Sequence, residues 1–424
     1  MKQYESYRTT NIPWLEEIPS HWTEERAKYL FKKENRPVSS KDETITCFRD
    51  GQVTLRKNRR IDGFTESLKE IGYQGIRKGD LVIHQMDAFA GSTGVSDSDG
   101  KGTPVYHVCT PKVDYINNYY YAHVIRNMGL NGYIQSLYRG IRERSSDFRY
   151  DVFGRQLLPI PPLEEQEIIV KFLETKTLII DGYKRERERE LRLLEELKQA
   201  EIANAITQGL NPDAPMKPTG LSWLPFIPKH WELKRLGTAF TENKEKNTAF
   251  VFKNAMKFYY GTLVDKNESF NTEDVEETYV KYTVLHEGDI VINGLNLNYD
   301  FVSQRVALCP KEGIITSAYL AIRPRKIETA EYFCLLFKCM DSMKLFHGMG
   351  TGIRLTLSFQ ELKKQIIPIP PFEEMKAIVL FVNDKLNRIN ELIEKLQIQL
   401  QQINEYKQRL IADAVTGQIN VQNT

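Results

Sequence analysis

The chain has 424 residues, which is more than one domain usually holds, because single hydrophobic cores stop growing near about 250 to 300 residues. Two or more domains are therefore expected. Hydrophobic residues make up 41% and charged residues 27%, which excludes a disordered chain and indicates a folded globular protein. Lysine and arginine number 58 against 56 aspartates and glutamates, so any nucleic-acid surface must be a local patch.

Targeting and cysteine patterns point to a cytoplasmic protein. No run of about 18 apolar residues occurs, and the first residues lack the apolar segment of a signal peptide. Five cysteines, an odd and scattered set, fit a reducing compartment better than a disulfide framework. Only Cys334 and Cys339 lie close together, and their spacing is poor for zinc, so no metal site is expected.

The dominant feature is an internal repeat with an offset of 209 residues. The segment WLEEIPSHW at 14–22 returns as WLPFIPKHW at 223–231. A second segment, LPIPPLEE at 158–165, returns as IPIPPFEE at 367–374. Two such matches at one offset indicate that the chain is built from two related halves.

Similarity is lost between these framework segments. The blocks at roughly 32–150 and 241–360 share little beyond a Gly-Asp strand signal, at 79–83 and 288–292. This pattern favours two domains that read different targets on one scaffold. Gene duplication without functional symmetry is the alternative.

Each half is predicted to be one mixed domain followed by one long helix. The predicted segments are a first domain at 1–156, a first helix at 157–211, a second domain at 212–365, and a second helix with a tail at 366–424. The proline-rich joints cannot be helical, and the Glu-Glu pairs after them suit a first helical turn. The predicted fold class is α+β, with two mixed α/β domains in a pseudo-twofold repeat, linked by two long antiparallel coiled-coil-like helices.

Apolar residues spaced three and four apart predict a helix–helix seam. In the second helix the seam residues are Val382, Leu386, Ile389, Ile393, Leu396, Leu400 and Ile403. In the first helix they are Leu173, Ile180, Leu191 and Leu194. The seam is interrupted at Lys407 in the second helix and at Lys184, Arg187, Lys198 and Glu201 in the first. Helices this long exceed what one small domain buries, so we expect them to pack on each other.

The sequence favours binding over catalysis. Residues 94–102 resemble a phosphate loop, but their glycine spacing is wrong. The glycine-rich residues 89–94 are interpreted as a tight turn, because no Asn/Asp-Pro-Pro-Tyr/Phe motif of a methyltransferase accompanies them. No metalloprotease, nucleophile-elbow or nuclease motif occurs either.

Candidate DNA-contacting residues lie in the two divergent blocks, where guanidinium groups with loop-like neighbours can bond guanine edges or phosphates. In the first block they are Lys57, Asn58, Arg59, Arg60, Gln85, Arg139, Arg142 and Arg144. In the second block they are Asn293, Asn296, Asn298, Tyr299, Thr351 and Arg354. Solvated surface charge explains any one of these clusters as well as DNA contact does.

Taken together, these features resemble the specificity subunit of Type I restriction-modification systems. The resemblance rests on the two doubled framework segments and on the doubled long helix, which ends in Ala-Ile-Thr and Ala-Val-Thr. It also rests on residues that accompany the strand at 79–83, namely Met86, Phe89, Gly91, Gly94, Val95, Ser96, Asp99 and Gly100. It covers essentially the whole chain.

The resemblance implies two target-recognition domains, each reading one half of a bipartite site in double-stranded DNA. It implies helices that dock two modification (methyltransferase) subunits and, through them, two restriction (translocase and nuclease) subunits. The chain itself would be non-catalytic and without cofactors, and S-adenosylmethionine, ATP and Mg²⁺ would bind the partners. Because residues 293–298 depart from the matching 86–91, the two domains are expected to read different half-sites.

Two alternatives stay open. One is a stand-alone two-domain DNA-binding protein without enzyme partners. The other is the recognition module of a single-chain restriction enzyme, which the end-to-end repeat disfavours because it leaves no room for a catalytic domain.

Overall fold

The computed structural model divides into two compact units. Unit 1 comprises Met1–Glu188 and Ile398–Thr424, and unit 2 comprises Arg189–Gln397. The residues that the structure describes are 2–59, 71–137, 148–259, 261–266, 272–297, 304–350 and 355–422. Both unit boundaries fall within a long helix, so each unit contains parts of both long helices.

Unit 1 is built from short strands, short helices and parts of the two long helices. Its strands are β1 (Tyr7–Thr9), β2 (Glu17–Pro19), β3 (Thr23–Arg26), β4 (Phe31–Lys33), β5 (Ile45–Cys47), β6 (Val53–Leu55), β7 (Gln74–Ile76), β8 (Leu81–His84), β9 (Thr93–Val95), β10 (Gly100–Gly102), β11 (Tyr106–Pro111) and β12 (Leu157–Ile160). Its helices are α1 (Ala27–Leu30), α2 (Asn118–Leu130), α3 (Tyr133–Ser136), α4 (Tyr150–Arg155) and the first part of α5 (Leu163–Gln208). Single 3₁₀ turns lie at Arg56–Asn58 and Ala88–Ala90.

Unit 2 has the same kinds of elements. Its strands are β13 (Met216–Leu221), β14 (Leu224–Pro228), β15 (Glu232–Arg235), β16 (Phe240–Glu242), β17 (Met256–Tyr259), β18 (Thr262–Asp265), β19 (Thr283–Leu285), β20 (Ile290–Ile292), β21 (Val306–Leu308), β22 (Gly313–Ile315), β23 (Leu320–Pro324) and β24 (Ile366–Ile369). Its helices are α6 (Leu236–Ala239), α7 (Thr272–Tyr279), α8 (Ala330–Ser342), α9 (Phe359–Leu362) and the first part of α10 (Phe372–Val415). Single 3₁₀ turns lie at Ile327–Thr329 and Leu345–Gly348.

Both units contain an antiparallel four-stranded sheet with the same strand order. The order is β4-β11-β8-β9 in unit 1 and β16-β23-β20-β21 in unit 2. Val82 pairs with Val108 and Gly94 on its two sides, and Val291, its equivalent at the 209-residue offset, occupies the same place in unit 2. The central strands are apolar because both of their faces are buried. The predicted α+β class is confirmed.

One helix of 13 residues packs on the sheet in each unit, α2 in unit 1 and α8 in unit 2. Helix α2 begins after Asn117, whose side-chain oxygen accepts a hydrogen bond from the Tyr119 amide at 2.9 Å and so caps the helix. Tyr120 and Tyr121 on α2 are fully buried in the core of unit 1. Tyr332 on α8 is likewise buried in the core of unit 2.

The long helices begin where the proline joints predict. Helix α5 starts at Leu163 and α10 at Phe372, each directly after a Pro-Pro pair. The prolines before each pair lie in strands rather than in free joints: β12 pairs with β3, and β24 pairs with β15. Each helix start is therefore fixed to the domain before it. The predicted segment boundaries at 156, 211 and 365 stay a prediction.

Within each unit the segments of α5 and α10 run antiparallel, and polar pairs join them. In unit 1, Lys407 Nζ donates to Asp181 Oδ1 at 2.6 Å and to Oδ2 at 2.8 Å. In unit 2, Lys198 Nζ donates to Asn390 Oδ1 at 2.8 Å. Lys198 and Lys407 were expected to interrupt the seam, and each has a polar partner on the other helix.

The predicted seam residues are all buried or half-buried on the two helices. Those that are buried are Leu173, Val382, Ile389 and Leu396. Those that are half-buried are Ile180, Leu191, Leu194, Leu386, Ile393, Leu400 and Ile403. A continuous helix–helix seam stays a prediction.

The end of the described chain lies beside its beginning in unit 1. The Asn420 amide donates to the Lys2 carbonyl at 2.8 Å, and the two residues form an isolated β-bridge. Residues near the two ends of the described chain are therefore attached to each other in unit 1.

Candidate nucleic-acid interface

The two repeated framework segments contact each other at the start of each long helix. In unit 1 the Glu165 carboxylate accepts a hydrogen bond from the Tyr4 hydroxyl and lies 2.9 Å from His21 Nε2. Burial and this carboxylate together raise the pKa of Tyr4. In unit 2, Glu374 lies 2.7 Å from His230 Nε2. The repeated His-Trp and Glu-Glu sequences are therefore structural: they attach each domain to its own long helix.

A buried tyrosine attaches each domain to the end of the other long helix. In unit 1 the Tyr120 hydroxyl donates to the Val415 carbonyl at 2.7 Å. In unit 2 the Tyr332 hydroxyl donates to the Ile206 carbonyl at 3.1 Å. Each unit thus holds the start of one long helix and the end of the other.

The Gly-Asp signal before the central strand is also structural. The Asp80 carboxylate accepts from the Arg77 amide at 2.7 Å and is ion-paired with Arg36. Asp289 accepts from Arg323 Nε at 2.7 Å and from its Nη2 at 2.9 Å. Both carboxylates are buried, and each fixes the turn that leads into the strand.

A loop follows the central strand in each unit, and its ends are joined in the same way. We call it the post-strand loop, residues 84–92 in unit 1 and, within the described residues, 293–297 and 304–305 in unit 2. The His84 amide donates to the Ser92 carbonyl at 3.0 Å, and the Asn293 amide donates to the Arg305 carbonyl at 2.8 Å. Asn293 is therefore equivalent to His84, so the match of residues 293–298 with residues 86–91 is wrong by two positions.

A second equivalent bond joins each post-strand loop to a residue that follows Arg144 in unit 1 and Arg354 in unit 2. The Phe148 amide donates to the Gln85 carbonyl at 2.9 Å, and the Leu357 amide donates to the Gly294 carbonyl, also at 2.9 Å. Donors and acceptors are each 209 residues apart. The two units therefore share this attachment of the post-strand loop.

Eight of the candidate residues lie outside the described residues, and their role stays a prediction. They are Arg60, Arg139, Arg142, Arg144, Asn298, Tyr299, Thr351 and Arg354.

Lys57, Asn58 and Arg59 lie together on an exposed turn after β6. Lys57 Nζ is 2.5 Å from a Glu43 carboxylate oxygen, and Arg59 Nη1 is 2.7 Å from Asp50 Oδ2. Exposed ion pairs of this kind contribute only about 0–1 kcal/mol, so a DNA phosphate can replace the carboxylates. Asn58 instead donates to the Thr54 hydroxyl at 2.8 Å and stabilises the turn itself.

The turn at 48–52, which pairs with Arg59 through Asp50, packs against the post-strand loop of unit 1. Arg49 Nη2 is 2.9 Å from Asp87 Oδ1 in that loop. A Cβ at Gly94 would lie 1.9 Å from the Gly51 carbonyl oxygen, so this close backbone approach requires glycine. The exposed turn with Lys57 and Arg59, the turn at 48–52 and the post-strand loop therefore belong to one surface of unit 1. The tight turn predicted at 89–94 is confirmed, with Gly91 at φ +87°.

The post-strand loop of unit 2 presents one exposed amide. Asn293 is half-buried, and its side-chain oxygen accepts a hydrogen bond from the Leu295 amide at 3.2 Å. Its side chain therefore stabilises the local turn. Asn296 is exposed and has a left-handed φ of 51°, which asparagine tolerates better than most residues. The next residue, Leu297, is fully buried and donates its amide to the Leu355 carbonyl at 3.3 Å. Asn296 is therefore held on the surface by a buried neighbour.

Two arginines that sequence reasoning missed hold these loops. Arg126 on α2 donates to the Arg49 carbonyl at 3.0 Å and also to the Gly91 carbonyl. Arg305 is 1% exposed, and its Nη1 donates to the carbonyls of Asn293 and Leu295 at 3.0 and 2.8 Å. Their acceptors are backbone atoms, which leave no side-chain signal in a sequence.

The described part of the chain lacks two further features. Among those residues, no three or more His, Cys, Asp or Glu side chains are grouped so as to hold a metal ion. None of the helices within the described ranges combines the length and the apolar character that spanning a membrane demands.

Comparisons with known proteins agree with this geometry. Residues 228–402 match the family model described as the Type I restriction modification DNA specificity domain. The MjaX specificity subunit of Methanocaldococcus jannaschii is 21% identical over 452 residues, which covers 98% of this chain and 97% of the relative. The EcoKI specificity subunit of Escherichia coli is 22% identical and covers 62% of this chain and 58% of the relative.

The fold is similar to solved structures over almost the whole chain. The HsdS subunit from Thermoanaerobacter tengcongensis has a TM-score of 0.54 at 16% identity, covering 95% of this chain and 98% of that one. A chain from a structure that describes complex assembly and conformational transition of the type I R-M system has a TM-score of 0.68 at 16% identity. That match covers 95% of this chain and 99% of the other.

Proposed function

We propose that this chain, a specificity subunit of the Type I restriction-modification family, selects a bipartite DNA target with one recognition domain in each unit. The observation that carries the proposal is the pair of equivalent hydrogen bonds at the base of the two post-strand loops. The same scaffold supports both loops, while the side chains exposed on them differ. Two domains of this kind read two different half-sites.

The chemistry of the two surfaces suits different contacts with DNA. In unit 1, Lys57 and Arg59 offer cations whose ion pairs are with exposed carboxylates, which suits phosphate contacts or bidentate contact with guanine. In unit 2, Asn296 offers an exposed amide, which suits the paired donor and acceptor on the major-groove edge of adenine. Base identity would be read by such side chains, and affinity would come mainly from the phosphate contacts.

The partners would dock on the long helices. Exposed apolar side chains lie along α5 and α10, namely Ile168, Leu178, Ile179, Leu193, Leu197, Leu380, Leu392 and Ile398. Apolar side chains exposed in such number along two helices mark a surface for protein partners. We propose that two modification subunits bind there and that two restriction subunits join through them. Adenine methylation with S-adenosylmethionine, and cleavage with ATP and Mg²⁺, would belong to those partners, and this chain would be non-catalytic.

Exchange of one domain tests the proposal. The chain is assembled with its modification subunits, and methylated sites are mapped before and after residues 32–150 are replaced by the equivalent block of a relative. We expect one half-site to change and the other to remain. Exchange of residues 241–360 is the matched control and should change only the other half-site. A change in both half-sites after either exchange, or specific binding that does not depend on either block, would contradict the proposal.

A further inference from the structure

Arg305 occupies an unusual place in unit 2. Its side chain is among the largest fully buried ones in the described chain. Burying a guanidinium is costly unless its donors are satisfied. Nη1 satisfies two of them with the carbonyls of Asn293 and Leu295, and the backbone amide of Arg305 donates to Asp341 Oδ2 at 2.8 Å. Arg305 thus connects the first part of the post-strand loop, at Asn293 and Leu295, and the last part, at Arg305 itself, to helix α8.

These bonds fix the backbone on the N-terminal side of Asn296. The carbonyls that Arg305 holds belong to the third residue before Asn296 and to the residue directly before it. On the other side, Leu297 is anchored in the core and bonded to Leu355. The left-handed φ of Asn296 is therefore maintained from both sides, and the direction of its side chain depends on Arg305.

In unit 1 a guanidinium also bonds the backbone of the post-strand loop, but it belongs to a different residue. The position equivalent to Arg305 at the base of the loop is Ser92, which carries no guanidinium. Arg126 approaches from α2 instead and bonds the carbonyls of Arg49 and Gly91, one in the turn at 48–52 and one in the post-strand loop. Each guanidinium bonds backbone carbonyls in loops of its own unit.

We propose that Arg126 and Arg305 are positioning residues for specificity, each setting the loop conformation that reads one half-site. The inference rests on the proposed function and adds residues that touch no DNA. Loss of a guanidinium leaves the exposed side chains in place but releases the backbone that directs them. Discrimination between bases at one half-site then falls, while the other half-site is read as before.

The test uses the chain assembled with its modification subunits and a DNA library randomised in both half-sites. Arg305→Met should lower base discrimination on the order of tenfold in the half-site that exchange of residues 241–360 alters. Arg126→Met should do the same in the other half-site. Arg305→Lys keeps a donor that reaches one or both carbonyls, and it should restore part of the discrimination. If Arg305→Met does not fold, a partial loss of base discrimination with Arg305→Lys supports the inference, and unchanged discrimination contradicts it.

Arg323→Met is the matched control, because Arg323 is also a guanidinium of unit 2 but bonds Asp289 rather than the post-strand loop. It should lower thermal stability and leave base discrimination unchanged. Equal loss of discrimination with Arg323→Met and Arg305→Met, loss in both half-sites, or an unchanged profile in folded Arg305 variants would overturn the inference. If the domain exchange changes the recognised sequence of neither half-site, the proposed function is contradicted instead.

Discussion

The polar pairs between α5 and α10 allow a reciprocal exchange of charge. The 209-residue repeat relates Lys407 to Lys198 and Asp181 to Asn390, so unit 1 has a lysine–carboxylate pair where unit 2 has a lysine–amide pair. Asp181→Asn converts the first pair to the second type, and Asn390→Asp does the reverse. The two changes test one interaction with opposite signs in one chain.

The magnitude follows from exposure and geometry. Lys407 and Asp181 are 29% and 40% exposed, with two bonds of 2.6 and 2.8 Å. For a partly exposed pair at this distance, the charge–charge part is worth about 1 kcal/mol after screening and side-chain entropy. We therefore expect Asp181→Asn to lower the stability of the helix pair in unit 1 by about 1 kcal/mol. Asn390→Asp should raise the stability of the helix pair in unit 2 by about 0.5 kcal/mol. The gain is smaller than the loss in unit 1 because Glu394, four residues further along the helix, repels the new charge.

Hydrogen exchange measures these effects separately, because a chain with two units need not unfold in one step. Amides in residues 398–415 report on Asp181→Asn, and amides in residues 372–397 report on Asn390→Asp. Both differences should shrink at 1 M salt, where the screening length falls to about 3 Å. A double-mutant cycle with Lys407→Met isolates the pair. Faster exchange in residues 372–397 after Asn390→Asp, or no effect of Asp181→Asn, would show that a carboxylate partner does not stabilise the helix pair more than an amide does.

Three further predictions concern single side chains. Tyr120→Phe removes a buried hydrogen bond to the last turn of α10 and should lower the stability of unit 1 by about 1–3 kcal/mol in thermal unfolding. The hydrogen bond to Glu245 raises the pKa of His286 above its usual range. The contribution of this His286–Glu245 pair to the free energy of unfolding should be complete below about pH 6.5 and lost as pH rises through the raised pKa of His286. The substitution His286→Gln should abolish this pH dependence of stability. Lys57→Ala should reduce the salt dependence of DNA binding by about one unit of slope and spare base discrimination, with Arg59→Ala as the comparison.

The long helices were predictable, and the fine structure of the domains was not. Helix α5 follows from the proline pair before Leu163, and the 209-residue offset gives α10 in turn. Strands of three or four residues such as β8 show too few alternations for periodicity to define their pairing. The four-stranded order appears only when the chain folds, because it depends on contacts between distant segments.

The repeat also holds a signal beyond the apolar seam. Lys198 and Lys407 are equivalent at the 209-residue offset, as are Asp181 and Asn390, and antiparallel helices bring these positions together. The offset and the antiparallel pairing, taken together, are enough to identify the polar pairs in the sequence. Arg305 gives no such signal, because its acceptors are carbonyls in a block where the two halves have diverged.

The central claim is that the two domains are independent readers of different half-sites on one repeated scaffold. Replacing residues 241–360 with a second copy of residues 32–150 tests it most directly, with sites mapped by methylation in the assembled enzyme. We expect a target with two copies of a single half-site, the one that exchange of residues 32–150 alters in the parent chain. A target that keeps both original half-sites would show that the two domains do not read independently, as would a folded, assembled complex that recognises neither of them.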